Sequence, residues 1–251
     1  INSSPGVSQG RNPNELLDQR DELLRKLSEQ MQIQVVPNGN QINVLAANGQ
    51  TLVLGGDVRT LGVSNSPADP SRQQIVLSGT PPEDITGTLS GGSLGALLHF
   101  RDKVLEPTFS GLGRVALAIS DEVNDVHQRG MDLEGQLGGL FFKDINTRES
   151  MLARAIPNQN NASPRDRVVS VEITDTSKLP AGDFVVEFIG PDNTRYAVRR
   201  AEDGKVLREG ALNGLYPTEI PMDGFSITLE SGSFQRGDSF LIRPTRSEER
   251  R

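Results

Sequence analysis

The apolar residues of this chain change their spacing part-way along it, and that change limits the folds it can adopt. Two long segments, residues 12–32 and 90–130, carry apolar residues at the three-to-four-residue spacing of an amphipathic helix. From about residue 163 apolar and polar residues alternate instead, as they do in half-buried strands. The sequence therefore predicts an α+β protein whose helices and later strands belong to different domains.

The first helical segment, "NPNELLDQRDELLRKLSEQMQ", carries the usual signals of a helix start. Asn12 is a candidate N-cap, Pro13 suits the first helical position, and Glu15 completes a capping-box-like pattern. Two acid-first pairs are predicted to form ion pairs across one turn: Asp21–Arg25 and Glu22–Lys26. An apolar stripe is formed by Leu16, Leu17, Leu23, Leu24, Leu27 and Met31. Such a stripe usually packs in the protein's own core, and the alternative is contact with another subunit.

Short strands are predicted between the two helical segments. Asn-Gly turns divide residues 32–54 into a β meander. Residues 55–72 are rich in Gly, Ser, Pro and Asp and predict a loop, after which "RQQIVLSG" predicts another strand.

The second helical segment contains Pro107, which predicts a kink or break near Glu106 because proline lacks a backbone donor. Gly130 is a candidate C-cap. Small residues that allow close helix packing are Gly111, Gly113, Ala116 and Ala118. Together the helical segments predict an elongated helical-bundle rod with β hairpins. The glycine-rich stretch "DLEGQLGGLFFKDINT" predicts a loop anchored by Phe141 and Phe142.

The later strands predict a small antiparallel β domain. Val169, Val171 and Ile173 share one strand face, as do Phe225, Ile227 and Leu229, and a turn is expected around residues 191–193. Along the chain the sequence predicts a rod-like helical domain at 1–147 with a β meander inserted at about 32–80, a linker at 148–162, the β domain at 163–246, and the start of a C-terminal return at 247–251. Because the chain begins with Ile1, it is expected to be an excised fragment.

Composition and charge argue against several classes of function. The net charge is −7, whereas a nucleic-acid surface needs clustered Lys and Arg. Cysteine is absent, so no disulfide or thiolate site exists, and aromatic residues make up only 4% of the chain. No apolar run is long enough to span a membrane.

Candidate catalytic residues are few. The two histidines, His99 and His127, are far apart in the chain and lack the spacing of a metal or triad motif, so packing or surface roles are expected. A structural salt-bridge role is expected for Arg101 or Asp102. Neither a catalytic site, a cofactor site nor a metal site is predicted.

Three stretches resemble a known family: "PNELLDQRDELLRKLSEQ", then "SGGSLGALLHFRDKVLEPTFSGLGRVALAISDEVNDVHQRGMDLEGQLGGLFF", then "GFSITLESGSFQRGDSFLIRPT". They are similar, in order and spacing, to the flagellar hook-associated protein 1 family, which forms the hook–filament junction. The resemblance covers nearly all of the chain. It implies a structural axial protein of the bacterial flagellum with no enzymatic activity and no cofactor, exported to the cell exterior by the flagellar type III apparatus.

The resemblance also implies partners. These are other copies of the chain in a ring, the hook protein, a neighbouring hook-associated junction protein on the filament side, and an export chaperone that binds the C-terminal part outside this sequence. Nucleic acid and membrane are not expected partners. Candidate subunit-contact residues are Asp18, Asp21, Glu22, Arg101 and Asp102.

Three alternatives stay open at this point. The first is another axial protein, such as the hook protein or the hook-associated protein of the filament end. The second is a secreted adhesin or binding module that uses residues 163–246. The third is a hydrolase, which predicts a buried carboxylate pair in a cleft.

Overall fold

The first helix, α1, begins at Pro13 and ends at Gln30, close to the predicted bounds. A computed structural model describes residues 13–39, 41–190 and 195–246 of the chain. The predicted N-cap Asn12, the turn around 191–193 and the C-terminal return at 247–251 lie outside the described residues.

The chain divides into two units. The first consists of Ile1–Ser66 and Ser71–Val104, and the second consists of Pro67–Pro70 and Leu105–Arg251. Each unit makes most of its contacts within itself. The domain bounds expected from the sequence stay a prediction.

Ion pairs along α1 differ in part from those predicted. Glu22 and Lys26 lie 3.6 Å apart between Oε1 and Nζ, as predicted. Asp21 pairs with its neighbour Arg20 rather than with Arg25, whose guanidinium lies 2.8 Å from Glu22. A long arginine side chain reaches carboxylates both three and four residues away, so spacing alone does not select its partner.

Two antiparallel sheets account for the described strands of the first unit. Their strand orders are β1-β2-β3-β4 and β5-β6-β7. The strands are β1 Ile33–Asn38, β2 Gln41–Ala46, β3 Thr51–Leu54, β4 Asp57–Val58, β5 Leu61–Asn65, β6 Gln73–Leu77 and β7 Glu83–Asp84. The meander predicted at 32–54 and the strand predicted after residue 72 are confirmed.

The loop predicted at 55–72 is wrong, because β4 and β5 lie within it. β5 pairs with β6 without a break, from Leu61 opposite Leu77 to Asn65 opposite Gln73. Pairing with β6, whose residues favour strands, thus outweighs the turn-like composition of residues 55–72.

Only part of the apolar stripe of α1 packs into the core of the first unit. Met31 is fully buried, and Leu24 and Leu27 pack against the same cluster. Leu17 and Leu23 are exposed. The core is completed by Val44, Ala46, Leu52, Leu77, Ile85 and Leu89.

The second helix of this unit, α2, runs over Gly92–Phe100 and starts against the end of α1. Gly92 has a φ of 60°, and a Cβ there would overlap the backbone of Gln30, so only glycine fits. The Ser93 hydroxyl donates to Oε1 of Gln30 at 2.8 Å. Leu94 and Leu98 reach the core cluster, which confirms that α1 packs against the second helical segment.

The break predicted near Glu106 from Pro107 is confirmed, because regular α-helix ends at Phe100 and resumes only at Glu106. A π-helical turn occupies Arg101–Leu105, and α3 then runs over Glu106–Arg129 with the proline in its first turn. Gly130 caps α3, and its N–H donates to the carbonyls of Val126 and His127 at 3.1 Å. Each unit thus has one long helix in its described residues, and the predicted helical bundle is not established by these helices.

The second unit contains an antiparallel β domain, as predicted. Its sheets have the orders β12-β11-β10-β15-β8 and β13-β14-β9. The strands are β8 Ala155–Pro157, β9 Val168–Ile173, β10 Phe184–Phe188, β11 Arg195–Arg200, β12 Val206–Ala211, β13 Thr218–Pro221, β14 Phe225–Ser231 and β15 Ser239–Ile242.

The inner faces of these strands form the larger core. The two predicted faces, Val169–Val171–Ile173 and Phe225–Ile227–Leu229, are buried together in it. Phe184 and Phe225 meet with ring centroids 5.4 Å apart. Alternation of apolar and polar residues therefore identified the core of this domain correctly.

The segment 148–162, predicted as a linker, contains the short helix α4, Arg148–Ala153, and strand β8. Arg154 follows α4, and its buried Nη1 donates to the carbonyl of Val171 at 3.1 Å and to Oδ1 of Asn146 at 3.2 Å. Burial lowers the pKa of Arg154 to about 10. These contacts hold α4 against β9.

Candidate assembly surface

Helix α3 packs against the β domain through a face of mostly small and polar side chains. Ser110, Gly113, Leu117 and Asn124 recur at helical spacing on this face. Ser110 is 1% exposed and Asn124 is 7% exposed. Leu117 packs against the β-domain core and is the apolar member of the set.

The chain that follows β15 holds the start of α3. Nη2 of Arg246 donates to the Glu106 carboxylate, to the Glu106 carbonyl at 3.3 Å and to the Ser110 hydroxyl at 3.5 Å. A Cβ at Gly113 would overlap the carbonyl oxygen of Thr245. Helix and tail are therefore in direct backbone contact.

A buried arginine secures the same tail. Arg243 pairs with Asp69 and, through Nε, with Oδ2 of Asp183 at 3.1 Å. Burial is the main influence on Asp183 and raises its pKa, while Arg243 opposes that rise. The cluster attaches Pro67–Pro70 to the body of the second unit.

Asn124 fixes the loop after α3. Its Oδ1 accepts from the backbone N–H groups of Phe141 and Phe142 at 2.9 and 2.8 Å, and its Nδ2 donates to the Phe142 carbonyl at 3.1 Å. Nδ1 of His127 donates to the Gly139 carbonyl at 2.7 Å. His127 is an exposed residue that contacts this loop, in line with the predicted surface or packing role, whereas nothing in the sequence singled out Asn124.

The loop is held at Phe141 and Phe142, the residues predicted to anchor it, but mainly through their backbone groups. The Phe141 side chain is exposed and touches the His127 ring at a centroid distance of 5.9 Å. The backbone rather than the rings makes the attachment. Further exposed apolar side chains in the loop are Met131, Leu133, Leu137 and Leu140.

The opposite face of α3 is an exposed apolar stripe. Leu112 is 65% exposed and Ile119 is 52% exposed. The stripe consists of Leu112, Val115, Ile119 and Val126, with Phe109 beside it. An ordinary surface helix buries its apolar face and exposes its polar one, and α3 does the reverse. A continuous exposed apolar surface of this kind marks a site of association.

The predicted contact residues on α1 are exposed, and two of them, Asp21 and Glu22, form ion pairs within the helix. Asp18, Asp21 and Glu22 lie on its solvent side. Arg25 lowers the pKa of Glu22 to about 2, chiefly through their hydrogen bond. The structure leaves their predicted contact with a neighbouring subunit untested.

Arg101 and Asp102 both have the predicted salt-bridge role, and they pair with each other with Nε 2.9 Å from Oδ1. The same carboxylate pairs with Arg72, and Nη1 of Arg101 donates to the Gln73 carbonyl at 2.9 Å. These bonds join the π-helical turn to β6 within the first unit. His99 is exposed, as expected for a surface histidine.

The carboxylates of the described residues bear on the hydrolase alternative, which predicts a buried carboxylate pair in a cleft. The two buried aspartates among these residues are paired with arginines, Asp69 with Arg243 and Asp238 with Arg167. A groove of about 790 Å³ in the β domain has Glu202 and Asp223 on its walls, both in exposed positions. Within these residues there is no group of three or more possible metal ligands, and no helix is long and apolar enough to cross a membrane.

Comparison with known proteins identifies the family. Residues 2–142 match the sequence family described as "Flagellar hook-associated protein FlgK helical domain". The chain belongs to the FlgK family. Residues 156–244 match the description "Flagellar hook-associated protein 1, D2-like domain", which corresponds to the β domain. The likeness therefore covers both the helical and the strand-rich parts.

Curated FlgK relatives are similar along almost the whole chain. The chain is 32% identical to flagellar hook-associated protein 1 of Salmonella typhimurium over 97% of its own length and 42% of the relative. It is 33% identical to the Escherichia coli protein of that name, covering 97% of the chain and 43% of the relative. The chain thus spans about two fifths of the length of these relatives.

A solved FlgK structure has the same fold. It is the flagellar hook junction protein FlgK from Burkholderia pseudomallei, with a TM-score of 0.81 and 31% sequence identity. The match covers 94% of this chain and 42% of that one. The α+β class is shared, and the neighbour is itself described as a junction protein.

Proposed function

We propose that this chain is part of a structural axial protein of the bacterial flagellum that joins hook to filament. Its membership of the FlgK family supports this, as do relatives named hook-associated protein 1 and a neighbour described as a hook junction protein. The role is mechanical, and we assign the chain no enzymatic activity.

The single observation that carries the proposal is the exposed apolar stripe of α3. A helix that turns Leu112, Val115 and Ile119 to solvent needs another surface to cover them. We infer that further helices pack there and complete an elongated helical-bundle rod, to which residues 1–147 contribute. In this scheme residues 163–246 form an attached β domain.

The proposed partners follow from the axial role. They are other copies in a ring, the hook protein, the adjacent junction protein on the filament side, and an export chaperone that binds a part of the protein outside this sequence. The proposed location is the flagellum outside the cell, reached by the flagellar type III apparatus.

The first experiment deletes the gene and examines the cells by electron microscopy, with flagellin assayed in the medium. Hooks without filaments, and flagellin lost to the medium, are expected. Normal filaments would overturn the junction role and favour a binding module built on the β domain.

Complementation of the deletion then tests the stripe. We expect Leu112→Gln to abolish or strongly reduce filament formation, because a polar side chain in a covered apolar contact costs about 1–3 kcal/mol. The control is Leu215→Gln, the same change at a leucine of the β domain that is 70% exposed, against 65% for Leu112. Equal motility of the two strains would contradict the role of the stripe.

Charge reversal tests the predicted contacts on α1. We expect the triple variant Asp18→Lys, Asp21→Lys and Glu22→Lys to impair motility while the purified chain keeps its far-ultraviolet circular dichroism. Reversal of Asp223, an exposed carboxylate of the β domain, serves as the control. Unchanged motility of the triple variant would count against an α1 contact, and the same test applies to Arg101 and Asp102.

A further inference from the structure

The dipeptide Asn-Gly occurs three times in the chain, at residues 38–39, 48–49 and 213–214. In this dipeptide the backbone nitrogen of the glycine can attack Cγ of the asparagine, because a residue without a side chain leaves the approach open. Ammonia leaves and a five-membered succinimide forms. All three glycines have a positive φ, and a Cβ built on any of them would meet no heavy atom within 4 Å. Neither the sequence nor the space around the glycines therefore distinguishes the three pairs.

The first difference between the pairs is the hydrogen bond of the glycine N–H. The Gly49 N–H donates to the Ala46 carbonyl at 2.9 Å, in the turn between β2 and β3. The N–H groups of Gly39 and Gly214 donate to no acceptor within the described residues. The nitrogen attacks after it has lost its proton, and a hydrogen bond to a carbonyl opposes that loss. The turn therefore slows the reaction at Asn48.

The second difference is the state of the side-chain carbonyl that is attacked. Oδ1 of Asn213 accepts the Leu215 N–H at 3.0 Å, and Oδ1 of Asn48 accepts the Gln50 N–H at 3.2 Å. Asn38 accepts no such bond within the described residues. Negative charge builds up on this oxygen during the attack, and an N–H aimed at it stabilises that charge, as the donors of an oxyanion hole do.

Among the three pairs, residues 213 and 214 alone combine an unbonded glycine nitrogen with a polarised side-chain carbonyl. Both residues are exposed, so water reaches the ring that forms. We propose that Asn213 is a site of spontaneous modification that accumulates with the age of the molecule. The Gly214 nitrogen bonds to Cγ and ammonia leaves. Water then opens the succinimide to aspartate or isoaspartate.

The modification changes a loop that is attached to the core at both ends. Leu212 is buried in the β-domain core, and Tyr216 packs against the same core. Both products add a negative charge between these two residues. Isoaspartate also adds one carbon to the main chain there, so the loop must shift. The change does not depend on the axial role proposed above, and it is tested on the isolated chain.

The experiment incubates the folded chain at neutral and at mildly alkaline pH. Mass spectrometry of the three Asn-Gly peptides measures the rates, with chromatography to separate aspartate from isoaspartate. We expect Asn213 to react fastest and Asn48 about two- to tenfold more slowly, the factor that one hydrogen bond contributes. The rates should rise with pH, because the attacking nitrogen must first lose its proton.

The same measurement on the unfolded chain separates structure from sequence. In denaturant the three rates should become nearly equal, since the bonds of the Gly49 N–H and of the asparagine Oδ1 atoms are lost. A folded chain in which Asn38 or Asn48 reacts as fast as Asn213 overturns the proposal. So does an order of rates that persists unchanged in denaturant, because the folded structure would then not be its cause.

Matched variants assign the reaction to its residue. Asn213→Gln and Asn48→Gln make the same change at two exposed Asn-Gly turns. Glutamine would have to close a larger ring, which forms far more slowly. We expect Asn213→Gln to remove most of the early ammonia release from the folded chain and Asn48→Gln to leave it nearly unchanged. Equal early ammonia release from the two variants contradicts the proposal.

Discussion

The β domain and helix α3 belong to one unit yet send their apolar side chains in opposite directions. Strand β14 buries Phe225, Ile227 and Leu229 completely, whereas α3 turns Leu112 and Ile119 to solvent. The sheets are joined to each other by apolar burial. The helix is joined by an ion pair and a glycine contact to the tail after β15, and by the hydrogen bonds of Asn124 to the loop that follows α3. The comparison shows that α3 is attached through its mostly small and polar face and leaves its apolar face exposed.

The largest expected effect is on the free energy of unfolding, when an isoleucine is replaced by alanine in the β domain and, for comparison, in α3. Ile227→Ala removes methyl groups from a fully buried site and should lower the free energy of unfolding by about 2–5 kcal/mol. Ile119→Ala, at a site 52% exposed, should change it by less than about 0.5 kcal/mol. Urea unfolding followed by circular dichroism measures both. Equal losses would show that α3 buries its stripe within the chain.

A second prediction concerns the polar attachment of the loop after α3. Asn124→Ala leaves the N–H groups of Phe141 and Phe142 without their acceptor and should cost about 1–3 kcal/mol. Amide exchange should quicken at these two residues while the strands of the β domain keep their protection. Asn124→Asp keeps the acceptor but loses the Nδ2 donor to the Phe142 carbonyl, so exchange at these two amides should quicken less than in the alanine variant. Unchanged exchange in the alanine variant would mean that other contacts hold the loop.

The smallest expected effect is a pH dependence of stability that arises from Asp183, the partner of Arg243 in the tail after β15. Burial raises the pKa of Asp183 above its ordinary value of 3.8, with Arg243, Arg246 and Glu106 as the charged groups around it. The folded state therefore binds this proton at a higher pH than the unfolded state does. The carboxylate costs stability above the folded pKa, and that cost is relieved as the pH falls through the folded pKa toward 3.8.

We accordingly expect the wild type to gain stability relative to Asp183→Asn as the pH falls through this window. Unfolding free energies of the two chains between neutral pH and pH 4 measure the difference. Asp203 provides a control of opposite sign, since the Lys205 N–H and Arg200 lower its pKa and its contribution is lost on acidification. A flat difference for Asp183→Asn would show that Arg243 fully offsets the effect of burial.

Much of the fold followed from local sequence signals. Strand alternation identified the inward faces around Val171 and Ile227, and Pro107 marked the break that precedes α3. These predictions succeed because burial in a two-layer sheet and the missing donor of proline act over a few residues. The strand β5 was missed because its pairing with β6 is not visible in its own composition.

The candidate surface was less predictable. The periodicity of α3 showed an apolar face but not its destination, since the same pattern serves a core and an interface. The bonds from Asn124 to the loop, and from Arg243 to Asp69 and Asp183, join residues distant in the chain. Such contacts depend on the tertiary arrangement, which spacing does not reveal.

Gly113 sets the distance between α3 and the tail that crosses it. Since a Cβ there would overlap the Thr245 carbonyl oxygen, the separation of the two backbones is fixed by the size of a hydrogen atom. The fit is one of shape and does not depend on charge, salt or pH. A relative that keeps this crossing must keep glycine at the position, however freely the exposed stripe changes to suit a different neighbour.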